Sequence, residues 1–129
     1  GQFGWQDHPT LPGKDLLKLE DDEFVTASLG VLGTTGMTAF FGLYKIGKPF
    51  PGDTLVITGA AGATGSVVGQ IGKLAGCRVI GVAGGPEKCA WLKSELGFDE
   101  AIDYKAGGVR AALRAAAPGG IDVLWDNVG

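Results

Sequence analysis

The residues with the clearest chemical potential form a glycine-rich turn from Thr58 to Gly65, which reads TGAAGATG. The turn follows a short apolar run at residues 54–58 that is rich in β-branched side chains. Gly62 and Gly65 match the last two glycines of the G-x-G-x-x-G template, with Ala60 in place of the first. Where such a turn leads from a strand into a helix, exposed N–H groups and the helix dipole attract a diphosphate. The turn therefore predicts a dinucleotide-binding site, and the alternative is a structural turn that holds no ligand.

The residues after the next apolar run indicate which dinucleotide would bind. An NAD site normally has an Asp or Glu at the end of the second strand, where the carboxylate binds the ribose 2′-hydroxyl. Here the run at residues 78–83 is followed by Gly84 and Gly85, which leave room for a 2′-phosphate, and Lys88 comes soon after. A charge-assisted contact from Lys88 favours NADP(H). The alternative is NAD, with Glu87 on the ribose and Lys88 in solvent.

A parallel sheet is needed to bring these residues together, and the apolar pattern predicts one. Short apolar runs alternate with helical segments, which is typical of right-handed βαβ units. We predict strands over 54–58, 78–83, 100–104 and 121–126, and helices over 35–48, 66–75, from 86 to about 96, and over 109–117. The fold class is therefore α/β, a doubly wound parallel Rossmann sheet with strand order 3-2-1-4 and helices on both faces. Two further strands of that fold are expected, so the chain looks like a partial segment.

The helices are expected to bury their apolar residues, because these recur at helical spacing. The residues expected to face inward are Met37, Phe40, Phe41, Tyr44 and Ile46 in the first helix, Val67, Val68, Ile71 and Leu74 in the second, and Cys89, Leu92 and Leu96 in the third. Residues 1–30 are irregular, with a possible short strand from Leu16 to Leu19. The acidic run at residues 20–23 is interpreted as a solvated loop or the first turn of a helix.

Composition excludes several other classes of protein. The 129 residues carry a formal net charge of −3 and contain no run of Lys or Arg, which argues against nucleic-acid or membrane partners. No stretch approaches the roughly 20 apolar residues that span a bilayer. Cys77 and Cys89 are interpreted as unpaired thiols, which favours a cytoplasmic location, and with the single His8 they make no metal cluster. His8 itself is interpreted as a solvated loop residue.

These residues resemble the zinc-independent branch of the medium-chain dehydrogenase/reductase superfamily, above all the prostaglandin/leukotriene reductases and the 2-alkenal (double-bond) reductases. The resemblance covers nearly the whole chain. Its segments are GQFGW at 1–5, GMTAFFGL at 36–43, GAAGATGSVVGQ at 59–70, EK at 87–88, LGFD at 96–99, YK at 104–105 and DNVG at 126–129. The sequence departs from the family at Gly59, where alanine is common.

The resemblance implies a set of NADP-binding residues. Residues 62–65 (Gly62, Ala63, Thr64 and Gly65) would lie on the pyrophosphate, Lys88 and Tyr104 would hold the 2′-phosphate, Asn127 would contact the cofactor, and Thr38 would lie near the nicotinamide. Two alternatives stay open: Tyr104 caps a strand end, and Thr38 is an internal helix residue. No catalytic residue is assigned to this segment.

The resemblance also implies an activity and a domain organisation. Family members reduce the carbon–carbon double bond of α,β-unsaturated aldehydes and ketones, or quinone-type acceptors, by hydride transfer from NADPH. Residues 1–30 would be the tail of a GroES-like substrate domain, and residues 31–129 a partial NADP-binding domain. We expect a homodimer, no turnover from this segment alone, and self-association of the isolated piece through the open edge of the fourth strand.

Two other functions stay open. A non-catalytic dinucleotide-binding protein, such as a redox sensor, would carry the same turn. An extended short-chain dehydrogenase would share the T-G-x-x-G-x-x-G pattern, but it needs a Tyr-x-x-x-Lys pair downstream. Here Tyr44 and Lys48 have that spacing upstream of the turn.

Overall fold

A computed structural model describes residues 4, 6–16, 18–19 and 25–129. Leu16, Lys18 and Leu19 lie in irregular backbone, so the predicted short strand is absent from these described residues, and Leu17 lies outside them. The acidic run at residues 20–23 and most of residues 1–5 also lie outside the described part. Two short 3-10 turns, Gly13–Asp15 and Val25–Leu29, precede the regular elements.

Four parallel strands form one sheet: β1 (Thr54–Thr58), β2 (Arg78–Ala83), β3 (Glu100–Asp103) and β4 (Val123–Trp125). Their order is β3-β2-β1-β4, which confirms the predicted 3-2-1-4 arrangement. The bounds of β1 and β2 agree with the sequence prediction. β3 ends one residue early because Tyr104 opens a 3-10 turn, Tyr104–Ala106. β4 is shorter than expected at both ends.

The helices are α1 (Thr34–Phe41), which continues as a π-helical segment over Gly42–Gly47, then α2 (Ala63–Leu74), α3 (Pro86–Ser94) and α4 (Val109–Ala116). All four predicted helices are therefore present. α2 begins three residues earlier than predicted, so the end of the glycine turn forms its first turn. Within the described residues, no helix is long and apolar enough to cross a membrane.

Strand alternation divides the core between the two faces of the sheet, since successive side chains point to opposite sides. Leu55 and Ile57 of β1 point to the face that α1, α2 and α3 cover, where they pack in one cluster with Val68 and Leu92. Val56 points to the other face, which α4 covers. Helices on both faces confirm the doubly wound class.

Helix α2 packs close to the sheet because one side of it is made of glycine. A Cβ on Gly69 would overlap the buried ring of Phe98, so the missing side chain makes room for an aromatic one. Val68, next to it, is fully buried, with 0% of its surface exposed. This side of α2 is therefore the one held against the strands.

Two predictions of buried side chains were wrong. In α1 and the π-helical segment, the five apolar residues expected inside, Met37, Phe40, Phe41, Tyr44 and Ile46, are 41–83% exposed. Gly36, Ala39 and Leu43 form the buried side instead: Ala39 and Leu43 pack in the same core cluster as Val68 of α2, and the Val31 backbone fills the space beside Gly36. In α2, Leu74 is 85% exposed because it is about 200° around the helix from the buried Gly72.

Candidate functional site

A cavity of about 580 Å³ opens at the carboxyl ends of the strands, within the usual range for small-molecule sites. This is the edge of an open α/β sheet at which ligands bind, where the strand order reverses. Its lining residues come from the ends of β1, β2 and β4, the glycine turn, α3 and the residue after β3. They are Thr58, Gly59, Ala61, Gly62, Val82, Ala83, Gly84, Lys88, Tyr104, Leu124, Asp126, Val128 and Gly129.

The glycine turn presents the start of α2 to this cavity. Gly62 is the N-cap residue, with extended backbone (φ −80°, ψ 169°) and no side-chain cap. The N–H of Gly62 donates to the Gly59 carbonyl at 2.9 Å. The first-turn N–H groups, those of Ala63, Thr64 and Gly65, have no partner within the helix. They can therefore donate to an anion at the helix start.

Close packing explains why the turn ends in glycine. A Cβ on Gly65 would lie 2.5 Å from the carbonyl oxygen of Gly59 and 2.8 Å from the Cα of Ala60. Both are backbone atoms of the turn, so neither can rotate away. A larger residue at Gly65 would push the helix start away from the end of β1.

The far side of the cavity is formed by the loop after β2 and the residue after β3. A Cβ on Gly84 would lie 2.8–2.9 Å from the ring atoms and hydroxyl of Tyr104, so the ring lies directly on the Gly84 backbone. Lys88, on the first turns of α3, also lines the cavity, whereas the exposed Glu87 beside it does not. The side facing the cavity here is therefore aromatic and cationic.

Asp103, the last residue of β3, connects these two loops. Its Oδ1 accepts hydrogen bonds from the N–H of Gly85 at 2.8 Å and from the N–H of Lys105 at 2.9 Å. The Gly85 bond, followed by the Lys105 bond, lowers the pKa of the Asp103 carboxyl below its ordinary value. The carboxylate therefore stays ionised to a lower pH than an ordinary aspartate does.

A second carboxylate organises the end of β4. The Thr58 hydroxyl donates to Asp126 Oδ1 at 2.5 Å, and the N–H groups of Val128 and Gly129 donate to the same carboxylate. These bonds, with Thr58 first, lower the pKa of Asp126. Next to it, the Asn127 amide donates to the Thr58 carbonyl at 2.8 Å. Asp126 and Asn127 therefore join the ends of β1 and β4.

The structure brings together only part of the predicted set. Gly62, Lys88 and Tyr104 line one cavity, and residues 63–65 form the adjacent helix start. Asn127 lies at the same edge of the sheet, but its side chain also accepts from the Trp125 indole at 2.9 Å and does not line the cavity. Thr38 lies in α1 and donates to the Thr34 carbonyl at 2.7 Å, as an internal helix residue does.

Sequence reasoning missed Asp103 and Asp126. Asp103 ends β3 and Asp126 follows β4, and each accepts hydrogen bonds both from the residues just after it and from a residue far away in sequence, Gly85 or Thr58, so their role depends on the folded loops. The available signal was an Asp at a strand end before a turn, a position that favours Asx-type hydrogen bonds. Such an Asp is common, and it does not by itself mark a site.

The two cysteines bear on whether the chain could hold a metal ion. Cys77 and Cys89 are both free, as predicted, and burial raises the pKa of each thiol. Across residues 4, 6–16, 18–19 and 25–129, no group of three or more His, Cys, Asp or Glu side chains could hold a metal ion. The described residues therefore do not fit a zinc site.

Comparison with known proteins places the chain in a family. Residues 63–129 match the family described as zinc-binding dehydrogenase. The NADPH-dependent curcumin reductase of Escherichia coli is 51% identical over 130 residues, which cover 100% of this chain and 38% of that protein. The NADP(+)-dependent 2-alkenal reductase of Nicotiana tabacum is 41% identical over 132 residues, again 100% of this chain and 38% of the relative.

A solved structure agrees with both the fold and the sequence match. CurA from Vibrio vulnificus, crystallised in complex with NADPH, matches with a TM-score of 0.83 at 53% identity, covering 88% of this chain and 34% of that one. This chain therefore spans well under half the length of the relatives it matches. It belongs to the zinc-binding dehydrogenase family, within the medium-chain dehydrogenase/reductase superfamily that its sequence resembled.

Proposed function

We propose that this chain is the NADP(H)-binding part of an oxidoreductase that reduces the carbon–carbon double bond of α,β-unsaturated aldehydes and ketones or of quinone-type acceptors. The observation that carries the proposal is the cavity at the carboxyl edge of the sheet. The helix start at Gly62 lies on one side of it, and Lys88 and Tyr104 lie on the other. The names of the 2-alkenal and curcumin reductases support the substrate class.

The cavity residues fit a dinucleotide with a 2′-phosphate. Ala63, Thr64 and Gly65 offer N–H groups to the pyrophosphate, and Gly62, the N-cap residue, lets the pyrophosphate approach the helix start because it has no side chain. Lys88 supplies a positive charge, and the Tyr104 hydroxyl supplies a hydrogen-bond donor at the same end of the cavity. β2 ends at Ala83 and is followed by Gly84, without the carboxylate that an NAD site uses, and Glu87 does not line the cavity.

Two further residues belong to the proposed cofactor site. Asn127, which lies where the chain leaves β4 and donates to the Thr58 carbonyl, would contact the cofactor. Thr38, whose hydroxyl donates to the Thr34 carbonyl within α1, would lie near the nicotinamide. NADPH would supply the hydride that adds to the β-carbon of the substrate. The residues of this chain would bind and orient the cofactor, and none of them is assigned to catalysis.

The domain assignment belongs to the same proposal. Residues 1–30 would be the tail of a GroES-like substrate domain, and residues 31–129 would be part of the NADP-binding domain. In the described residues the first α-helix begins at Thr34, after two short 3-10 turns, which supports a domain boundary near residue 30. We further propose a homodimer in the cytoplasm with a small-molecule substrate and no nucleic-acid or membrane partner.

The cofactor assignment is tested by titrating the complete protein with NADPH and NADH and repeating both with Lys88→Ala. Loss of a charge-assisted contact is expected to weaken NADPH binding about tenfold or more while leaving NADH nearly unchanged. Lys45→Ala is the matched control, because Lys45 is exposed on the π-helical segment and does not line the cavity. Equal affinities of the unmodified protein for the two cofactors would refute the assignment.

The reductase assignment needs a separate measurement. Steady oxidation of NADPH by the complete protein in the presence of a 2-alkenal, with the saturated aldehyde as product, is the expected result. NADPH binding without turnover on alkenals, enones or quinones would favour a non-catalytic dinucleotide-binding protein.

A further inference from the structure

Asp103 does not itself line the cavity, but it joins the two loops on the far side of the cavity. The sheet register places Asp103 beside Ala83, the last residue of β2. From there its Oδ1 reaches the Gly85 N–H on one loop and the Lys105 N–H on the other, at 2.8 and 2.9 Å. One oxygen atom therefore fixes the distance between the backbone before α3 and the backbone after β3.

The two loops lead directly into the two side chains that line the far end of the cavity, Lys88 and Tyr104. Gly85 precedes α3 with a positive φ of 100°, so the direction in which α3 leaves the loop depends on this residue. Lys88 is on the first turns of that helix, and Tyr104 is the residue next to Asp103. Without the Asp103 carboxylate, both loops would lose this hydrogen bond, and the distance between Lys88 and the Tyr104 ring would no longer be fixed.

We propose that Asp103 is a positioning residue that sets the preference for a 2′-phosphorylated dinucleotide by holding Lys88 and Tyr104 at a fixed separation. This inference rests on the proposed NADP(H) site. It assigns Asp103 no contact with the ligand, because its Oδ1 is directed at two backbone N–H groups and Asp103 does not line the cavity.

Two substitutions of Asp103 can distinguish a positioning role from an effect of its charge, because its two hydrogen bonds need an acceptor atom and not a negative charge. Asparagine also has an Oδ1 that accepts two hydrogen bonds, so Asp103→Asn can keep both loops in place without the charge. Alanine has no acceptor and leaves the Gly85 and Lys105 N–H groups to solvent. If position matters, Asp103→Asn should resemble the unmodified protein and Asp103→Ala should not.

Asp122 offers a matched control at the opposite end of the sheet. Its carboxylate accepts the Thr54 N–H at 2.8 Å, so it also fixes backbone through a strand-end bond. It lies at the amino end of β1, away from the cavity. Asp122→Ala should lower the thermal midpoint without changing the ratio of the two cofactor affinities.

The experiment measures dissociation constants for NADPH, NADH and adenosine 2′,5′-bisphosphate by calorimetry with the complete protein. Asp103→Ala is expected to weaken NADPH and the bisphosphate about tenfold and NADH less than about twofold, whereas Asp103→Asn stays within about threefold for all three. Asp103→Ser, whose hydroxyl is too short to bridge both loops, should follow Asp103→Ala and serves if the alanine variant does not fold.

The outcomes separate this inference from the proposed function. An equal loss of NADPH and NADH affinity in Asp103→Ala, or an unchanged ratio, would overturn the positioning role and leave the cofactor assignment intact. A loss of selectivity in Asp103→Asn as large as in Asp103→Ala would also overturn it, because charge would then be the cause. Failure of the unmodified protein to bind NADPH would instead overturn the proposed function.

Discussion

Asp99 shows how one side chain can join three elements at a distance from the cavity. Both of its oxygens lie 2.8 Å from the Lys73 ammonium in α2, and Oδ2 also accepts the Val79 N–H of β2 at 2.6 Å. The residue itself lies just before β3. Its side chain is 29% exposed, so the pair is only partly screened by water.

These contacts decide the ionisation of Asp99. Burial by itself raises the pKa of the carboxyl, but the hydrogen bonds from Lys73 and Val79 outweigh burial and leave the pKa below its ordinary value. A carboxyl whose pKa is lower in the folded than in the unfolded state stabilises the fold above its unfolded pKa of about 3.9. That stabilisation is lost as the pH falls from about 4 through the folded pKa.

Asp99→Asn should therefore remove part of the stability at neutral pH and part of its pH dependence. We expect the free energy of unfolding at pH 7 to fall by about 1–2 kcal/mol, with a smaller further fall below pH 4 than in the unmodified protein. Urea denaturation across pH 3–7 measures both. Glu100→Gln is the control, since its pair with Lys93 is 41–49% exposed and should matter little. If the unfolding free energies of Asp99→Asn and of the unmodified protein changed with pH in parallel, the expectation would be contradicted.

The sequence indicates residues that act through their own side-chain type more readily than residues that act through backbone. The positions of Lys88 and Gly62 in the cavity lining could be predicted from residue type alone, because a glycine after the first strand and a cation after the second are typical of a dinucleotide site. The roles of Asp103 and Asp126 could not, because their partners include backbone N–H groups, which every residue type but proline offers, and residues distant in sequence such as Gly85 and Thr58. Only the folded loops show that these groups converge on one carboxylate.

At the scale of elements, the junction between β1 and α2 is the most tightly constrained part of the site. Gly65→Ala would place a Cβ 2.5 Å from the Gly59 oxygen, so the helix start must move. We expect a loss of about 1–3 kcal/mol in unfolding free energy and weaker binding of NADPH and NADH alike, because both share the pyrophosphate. Denaturation and cofactor titration measure the two effects.

Gly119→Ala is the matched control for this substitution. A Cβ on Gly119 would meet nothing within 4 Å, and Gly119 is not among the glycines with positive φ. Its unfolding free energy and cofactor affinities should stay close to those of the unmodified protein. A Gly65→Ala variant with unchanged stability and affinity would show that the turn relaxes without cost.

The bounds of an element could be predicted where its apolar residues form a continuous run, but the buried side of a helix could not be predicted where several sides carry apolar residues. β1 and β2 are continuous apolar runs between turn residues, and their bounds were confirmed. The side of α1 that is buried was predicted wrongly, because hydrophobic periodicity favours large residues such as Phe40 over small ones such as Ala39. Close helix packing selects for small residues, and that preference depends on the neighbouring helix.

At the scale of the whole molecule, the sheet has an open side at β4. Among the described strands it pairs with β1 alone, and its Leu124 is 61% exposed. A strand with unpaired N–H and C=O groups is a template for another chain. The 129-residue chain expressed by itself should therefore self-associate, with a mass in light scattering that rises with concentration. A monomer across the whole concentration range would contradict this expectation.

The π-helical segment after α1 begins at Gly42, and a Cβ there would overlap the Trp125 ring of β4. The same indole donates to Asn127 at the edge of the cavity. Trp125 is thus a natural fluorescent probe that contacts both the π-helical segment and the edge of the cavity. Its emission overlaps the absorption of a reduced nicotinamide, so docking of the cofactor should be readable as quenching without any attached dye.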